Sequence, residues 1–197
     1  MNIDLPLILA SASPRRKQLL EVAGFVFDVM PPDEHAEDEN FPNELPIVYV
    51  RRLAFQKAKN VADKIDQGII LGGDTIVLCG EIILGKPENR EEARRMIQKL
   101  RGQVHQVLSG LCLIRKTGTE TTVHIESATT WLLMQPISDD ELETYLDTGN
   151  WQGKAGAFGY QDDNDWITIL EGSESNVVGL PMETFRTMYA ESMEKTV

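Results

Sequence analysis

Two arginines in the first turn of a helix stand where acidic residues are favoured. Ser11-Ala-Ser-Pro-Arg-Arg16 follows the apolar run Leu7 to Leu9 and opens a segment with Leu19, Leu20 and Ala23 at helical spacing. Ser13 is a natural N-cap and Pro14 a natural first residue. The dipole makes a helix N-terminus positive, so paired guanidinium groups there point to an anion. Hydroxyls of Ser11 and Ser13, first-turn N–H groups and the forks of Arg15 and Arg16 suit phosphate oxygens. Solvated surface arginines are the competing reading, and the motif alone does not separate the two.

A second candidate is Gly72-Gly-Asp-Thr75, which follows the apolar run Ile69 to Leu71. That position predicts a carboxylate at a strand end, where open α/β sheets bind ligands, and Asp74 there can hold a metal or take a proton from water. The same four residues also read as an ordinary turn. Gly80-Glu-Ile-Ile-Leu-Gly85-Lys86 has P-loop spacing as far as the lysine, but Pro87 replaces the magnesium-binding hydroxyl and the intervening residues are strand-like. Lys86, on a stiff turn, remains a candidate phosphate ligand.

A third is Gly153-Lys-Ala-Gly-Ala-Phe-Gly-Tyr-Gln161, whose glycines allow close backbone approach while Lys154 offers a charge and Gln161 a readable amide. Glu34 is a candidate metal ligand, whereas Glu37, Asp38 and Glu39 read as solvated charge. Asp162, Asp163 and Asp165 lack the glycine and glutamate of a calcium loop. His35, His105 and His124 show no zinc or triad spacing. Cys79 and Cys112 lie in apolar sequence and read as reduced core thiols.

The elements that position these groups follow from periodicity. The stretch Ile47 to Ile65 is an amphipathic helix, with Lys57 and Lys59 among the residues between its apolar positions. Ile69 to Leu71 and Ile76 to Leu78 are two strands flanking Gly-Gly-Asp-Thr, and Glu81 to Leu84 is a return strand. Arg90 to Leu100 is a helix; Val104 to Arg115 and Thr121 to Leu133 form a long hairpin; Ser138-Asp-Asp-Glu141 is a capping box. A strand spans Trp166 to Leu170, a turn Gly172 to Asn176, and a helix begins near Pro181. The acidic, proline-bearing stretch Pro31 to Pro46 reads as a flexible loop or lid. The alternation predicts an α/β protein with a mixed sheet, as a single domain over residues 1–197.

The 197 residues are 42% hydrophobic and 25% charged, enough for a substantial core. A net charge of −12 disfavours DNA, RNA and anionic membrane surfaces as partners, although a small anionic substrate needs only a local cationic cluster. Neither a long apolar span nor a signal-like start is apparent, so the cytoplasm is the expected location.

Taken as an ordered set, Ser11-Ala-Ser-Pro-Arg-Arg16 with Leu19-Leu20, Gly73-Asp74-Thr75, Gly85-Lys86-Pro87, Ser109-Gly110, Lys154-Ala-Gly-Ala157 and Asn176-Val-Val-Gly-Leu-Pro181 resemble the Maf family of nucleotide pyrophosphatases over nearly the whole chain. The resemblance implies an inosine-triphosphatase-like fold, an elongated mixed β-sheet flanked by helices with two lobes around a central cleft, and a homodimer. It implies Asp74 as the proton acceptor for water, Glu34 beside a divalent cation (Mg2+ or Mn2+) shared with Asp74, and Lys86 in catalysis. Arg15, Arg16, Ser11 and Lys154 would hold the triphosphate. Arg15, Thr75 and Gln161 resemble the branch acting on dTTP and UTP, and modified pyrimidine triphosphates would be accepted if their 5-substituents point into open space. That branch usually has Gln-Gly where this chain has Gln161-Asp162, and an aromatic residue where it has Glu174. A non-catalytic nucleotide-binding regulator of septum formation is the alternative the family's name suggests.

Overall fold

A computed structural model describes residues 5–38, 41, 43–118, 120–162 and 165–194. Glu39 and Asp163, read above as surface charge and as part of a calcium-loop look-alike, lie outside the described residues, as does the start of the chain before Leu5. Among the described residues no helix is long and apolar enough to cross a membrane.

The elements are β1 (Leu7–Ala10), α1 (Pro14–Val22), β2 (Asp28–Val29), α2 (Pro46–Ala62), β3 (Gln67–Cys79), β4 (Ile82–Leu84), α3 (Arg90–Leu100), β5 (Val104–Thr117), β6 (Thr121–Met134), α4 (Asp139–Thr148), β7 (Ile167–Glu171), α5 (Glu174–Val178) and α6 (Met182–Glu194). The strands form a seven-stranded mixed sheet in the order β2-β1-β3-β5-β6-β7, with β4 antiparallel to β3. Strand β1 runs parallel to β2 and β3, whereas β6 and β7 are antiparallel.

The chain divides into two compact units, one built from residues up to Asp74, Ser109–Ala128 and from Gly179 onward, the other from Thr75–Leu108 and Thr129–Val178. In the first unit both faces of β1, β3 and β5 are buried. Leu7, Leu9, Ile69, Leu71, Leu111 and Leu113 pack with Leu20 of α1 and Phe185 and Met188 of α6. Their neighbours Ile8, Ala10, Ile70, Cys112 and Ile114 face Ala54, Ala58 and Val61 of α2. Period-two alternation thus sends odd residues of β3 toward α1 and α6 and even ones toward α2.

Two glycines let α2 lie directly on the strands. A Cβ at Gly72 would stand 2.3 Å from the Ala54 carbonyl oxygen, and one at Gly110 would stand 2.1 Å from that of Val50. Gly72-Gly-Asp-Thr75 is therefore neither the expected strand end nor a turn between two strands but the middle of one 13-residue strand, its glycines serving the helix rather than a bend.

In the second unit, α3 and α4 pack with Val77, Leu84, Val107, Leu132 and Met134. The predicted capping box is present, Ser138 accepting from the Glu141 backbone and Glu141 from that of Ser138, with Gly149 left-handed at the other end of α4. Gly172 to Asn176 differs from the expected turn, because Glu174 opens the short helix α5. The Gly80–Lys86 segment is a turn followed by β4, consistent with rejecting it as a phosphate loop.

Candidate active site

The first unit gathers the expected catalytic carboxylate and the arginine motif. Asp74 is an even residue of β3, so its side chain leaves the sheet on the α2 side. There it meets Lys57, whose Nζ donates to Asp74 Oδ1 at 2.6 Å. The same ammonium lies 3.1 Å from Glu37 Oε2. The side chains of Lys57 and Asp74 are only 9% and 12% exposed, so the pair is held nearly free of water while Glu37 approaches from the exposed segment before α2. Lys57 lies on the buried stripe of α2 with Val50, Ala54 and Val61, a cation at a position whose neighbours are all apolar.

On the other face, Gly73 leaves room for Arg16, whose Nε is the nearest side-chain atom to a Cβ built there, at 3.5 Å. Ser13 caps α1 and Pro14 begins it, as the sequence predicts. Arg16 is buried: its Nε donates to the Gly179 carbonyl at 2.8 Å and its Nη1 to Ser11 Oγ at 3.1 Å, while Ser11 Oγ also accepts from the Ser13 N–H. Burial pushes the Arg16 guanidinium below its usual basicity, opposed by the charge of Asp74. Arg16 therefore braces the turn with two of its N–H groups rather than presenting a whole fork to solvent, and Arg15 beside it is half-buried.

Glu34, the expected metal ligand, stands in the segment before α2. It is exposed in a turn and, among the described residues, pairs with no cation; the acid of this segment that reaches Lys57 is Glu37. The described residues of the segment are tied to α2. Asp33 accepts from Asn60 Nδ2 at 3.0 Å and pairs with Lys64, Asp38 accepts from Gln56 at 2.5 Å, and both oxygens of Glu44 receive Arg52 at 2.7 and 2.8 Å. Arg52, Gln56 and Asn60 recur every four residues, one row along α2, and that row ties the acids down so that Glu37 is carried to Lys57.

Donor chemistry suits a hard divalent cation. Asp74 and Glu37 are oxygen donors converging on one positive group, and a magnesium-like ion is commonly held by one or two carboxylates with phosphate oxygens and water completing its shell. Among the described residues no three His, Cys, Asp or Glu side chains form a ready-made ligand set, so phosphate oxygens would have to complete it.

The second unit carries the remaining candidates. Thr75 is half-buried on β3, and Lys86 is exposed just after β4. Gln161 is exposed, whereas Lys154 is engaged by Asp162, the residue that stands where the dTTP/UTP branch usually has glycine.

This chain belongs to the Maf family: the family model described as Maf-like protein matches residues 6–192. Among its relatives, the protein of Rhodopirellula baltica named dTTP/UTP pyrophosphatase is 47% identical over 90% of this chain and 78% of its own length. Proteins of the same name from Halalkalibacterium halodurans and Koribacter versatilis are 45% and 42% identical, covering 90% and 92% of this chain and 90% and 91% of their own.

Proposed function

We propose that this protein hydrolyses nucleoside triphosphates, dTTP and UTP foremost, to the monophosphate and pyrophosphate. The observation that carries the reading is the nearly buried Lys57–Asp74 pair with Glu37 at its open side. A carboxylate held by one ammonium from within the protein is oriented rather than wandering, which a base aimed at a single water requires.

In this scheme Asp74 takes a proton from the attacking water, the water oxygen bonds to the α-phosphorus, and the bond to the bridging oxygen breaks, with pyrophosphate leaving. Arg15 supplies charge to the phosphates, Ser11 and Arg16 hold the turn that presents it, and Lys86 adds a second cation. Thr75 and Gln161 contribute to base recognition, Gln161 by an amide that both donates and accepts. A divalent cation, Mg2+ or Mn2+, held by Asp74 and Glu37, would neutralise charge on the leaving pyrophosphate. We extend the reading, as the sequence leads us to expect, to a homodimer working in the cytoplasm on modified as well as ordinary pyrimidine nucleotides.

The deciding experiment is a screen of nucleoside triphosphates for pyrophosphate release with Mg2+ or Mn2+. Release from dTTP and UTP, lost in Asp74→Asn, supports the proposal. Orthophosphate as the first product, or saturable binding without turnover, refutes it.

A further inference from the structure

The loop that carries Gln161 is closed by a polar clasp that neither the catalytic groups nor the phosphate ligands account for. Lys154 Nζ pairs with Asp162 Oδ1, and the two side chains are only 13% and 10% exposed. The other oxygen, Asp162 Oδ2, accepts from the Tyr145 hydroxyl at 2.7 Å. Tyr145 belongs to α4, and its ring leans on Trp166, at the start of β7, with centroids 5.2 Å apart. Asp162 is thus gripped from both sides, by its own loop and by a helix.

The loop is shaped around this pair. A Cβ on Gly159 would come within 2.5 Å of Lys154 Nζ and 2.7 Å of Asp162 Oδ2, so the backbone at 159 lies directly against the ion pair and a side chain there would displace it. At the other end the Gly156 N–H donates to the Gly85 carbonyl at 2.9 Å, and Gly156 sits in the left-handed region against Val77. Gln161 lies one residue from Asp162, so its amide rides on a backbone whose neighbour is fixed by two bonds.

We propose that Asp162 is a positioning residue for base selection, acting through the Lys154–Asp162–Tyr145 clasp to fix Gln161, and that Lys154 serves this clasp rather than the triphosphate. This rests on the pyrophosphatase reading above. An ammonium nearly enclosed and neutralised by a carboxylate has little charge to offer a phosphate, whereas a short, doubly held loop can present an amide in one orientation. Discrimination by hydrogen bonding depends on that orientation, because a misplaced amide accepts wrong bases nearly as well as right ones.

The test uses full-length protein and pyrophosphate release from UTP and GTP by Asp162→Asn, Tyr145→Phe, Lys154→Met and the Lys154→Met/Asp162→Asn double variant. Asp162→Asn is expected to raise KM for UTP about tenfold, to shrink the UTP-over-GTP preference by a similar factor, and to leave kcat within about twofold. Tyr145→Phe, which keeps the ion pair, gives a smaller shift in the same direction. Lys154→Met raises KM comparably, and the double variant is no worse than either single change, as for residues acting as one unit. Additive losses in the double variant, or an unchanged UTP-over-GTP preference in Asp162→Asn, overturn the proposal. A wild-type protein that binds UTP without hydrolysing it refutes the parent reading alone, since the selectivity ratio read from Kd by calorimetry still decides the role of Asp162; failure to bind either nucleotide overturns both.

Discussion

Lys57 Nζ lies 2.6 Å from Asp74 Oδ1, a salt bridge between a helix and the middle of a strand in which both side chains are almost wholly enclosed. Removing one partner of such a pair strands the other, which costs about 3–5 kcal/mol in typical cases. Lys57→Met is therefore expected to lower stability by an amount in that range and to reduce pyrophosphate release at least 100-fold. Urea unfolding together with the activity assay checks both effects, and Lys57→Met activity within tenfold of wild type would separate Lys57 from the chemistry.

The two acids before α2 should respond differently. Glu37→Gln removes the carboxylate that reaches Lys57 and is expected to cut activity about 10–100-fold, in the range seen when groups around a metal are lost, and to raise the Mg2+ concentration needed for half-maximal rate. Glu34→Gln is expected to stay within about twofold of wild type, because Glu34 is exposed and, among the described residues, forms no ion pair. Magnesium titration of the two variants side by side decides between them, and the reverse order would restore Glu34 as the ligand.

Gly72→Ala and Gly110→Ala should each be costly. A methyl group at either position would meet α2 backbone at 2.3 or 2.1 Å, a contact that flexible side chains cannot relieve. Overpacking of this kind costs about 1–3 kcal/mol and occasionally more, and the upper end is expected. Gly80→Ala, where nothing lies within 4 Å, is the comparison for a glycine outside the helix contact, although its positive φ adds a strain of its own.

Acid should weaken the second unit through His105. Its ring is buried against Phe158, with no hydrogen-bond partner for Nε2 among the described residues, and burial holds its pKa below the ordinary value, the hydrogen bond to the Gln103 carbonyl opposing. A folded-state value below the unfolded one, near 6.5, means the contribution is complete above about pH 6.5 and is lost as pH falls through the folded value. Urea unfolding from pH 8 to pH 5 is expected to show a steeper loss in wild type than in His105→Phe; parallel curves would exclude the histidine.

The cysteines should differ in reactivity. Burial pushes the Cys112 thiol up to about 12, so it stays protonated and inert, whereas Cys79 is partly accessible. Mass spectrometry after brief iodoacetamide treatment at pH 8 should find the label on Cys79, and equal labelling of both would contradict the burial of Cys112.

Local signals in the sequence carried most of the elements, because caps, glycines and periodicity act within a few residues. Ser13 with Pro14 and Ser138 with Glu141 are examples, and the strand pattern around Leu7 and Val104 is another. What local reading missed depends on packing. Gly72-Gly-Asp-Thr looks like a bend until α2 is laid against it, and Lys57 passes for a surface lysine until it is seen on the stripe with Val50, Ala54 and Val61. A cation on an apolar stripe was the available signal. Glu37 was harder, since nothing in an acidic run distinguishes one carboxylate from the next until Arg52, Gln56 and Asn60 bind the others. Asp162 stood out only as a departure beside Gln161, not for its contacts: its partner Lys154 is eight residues away, across a loop whose closure no spacing rule foretells.

The bare contact between α2 and the strands makes Gly72 and Gly110 a gauge of distance as well as a packing requirement. Lys57 rides on the gauged helix and Asp74 on the strand beneath, so the gap their charges span is set at two positions that bear no charge. A bulkier residue there that lifted the helix would loosen the packing and part Lys57 from Asp74 in the same movement. Selection on such a protein would thus meet shape and rate as a single constraint.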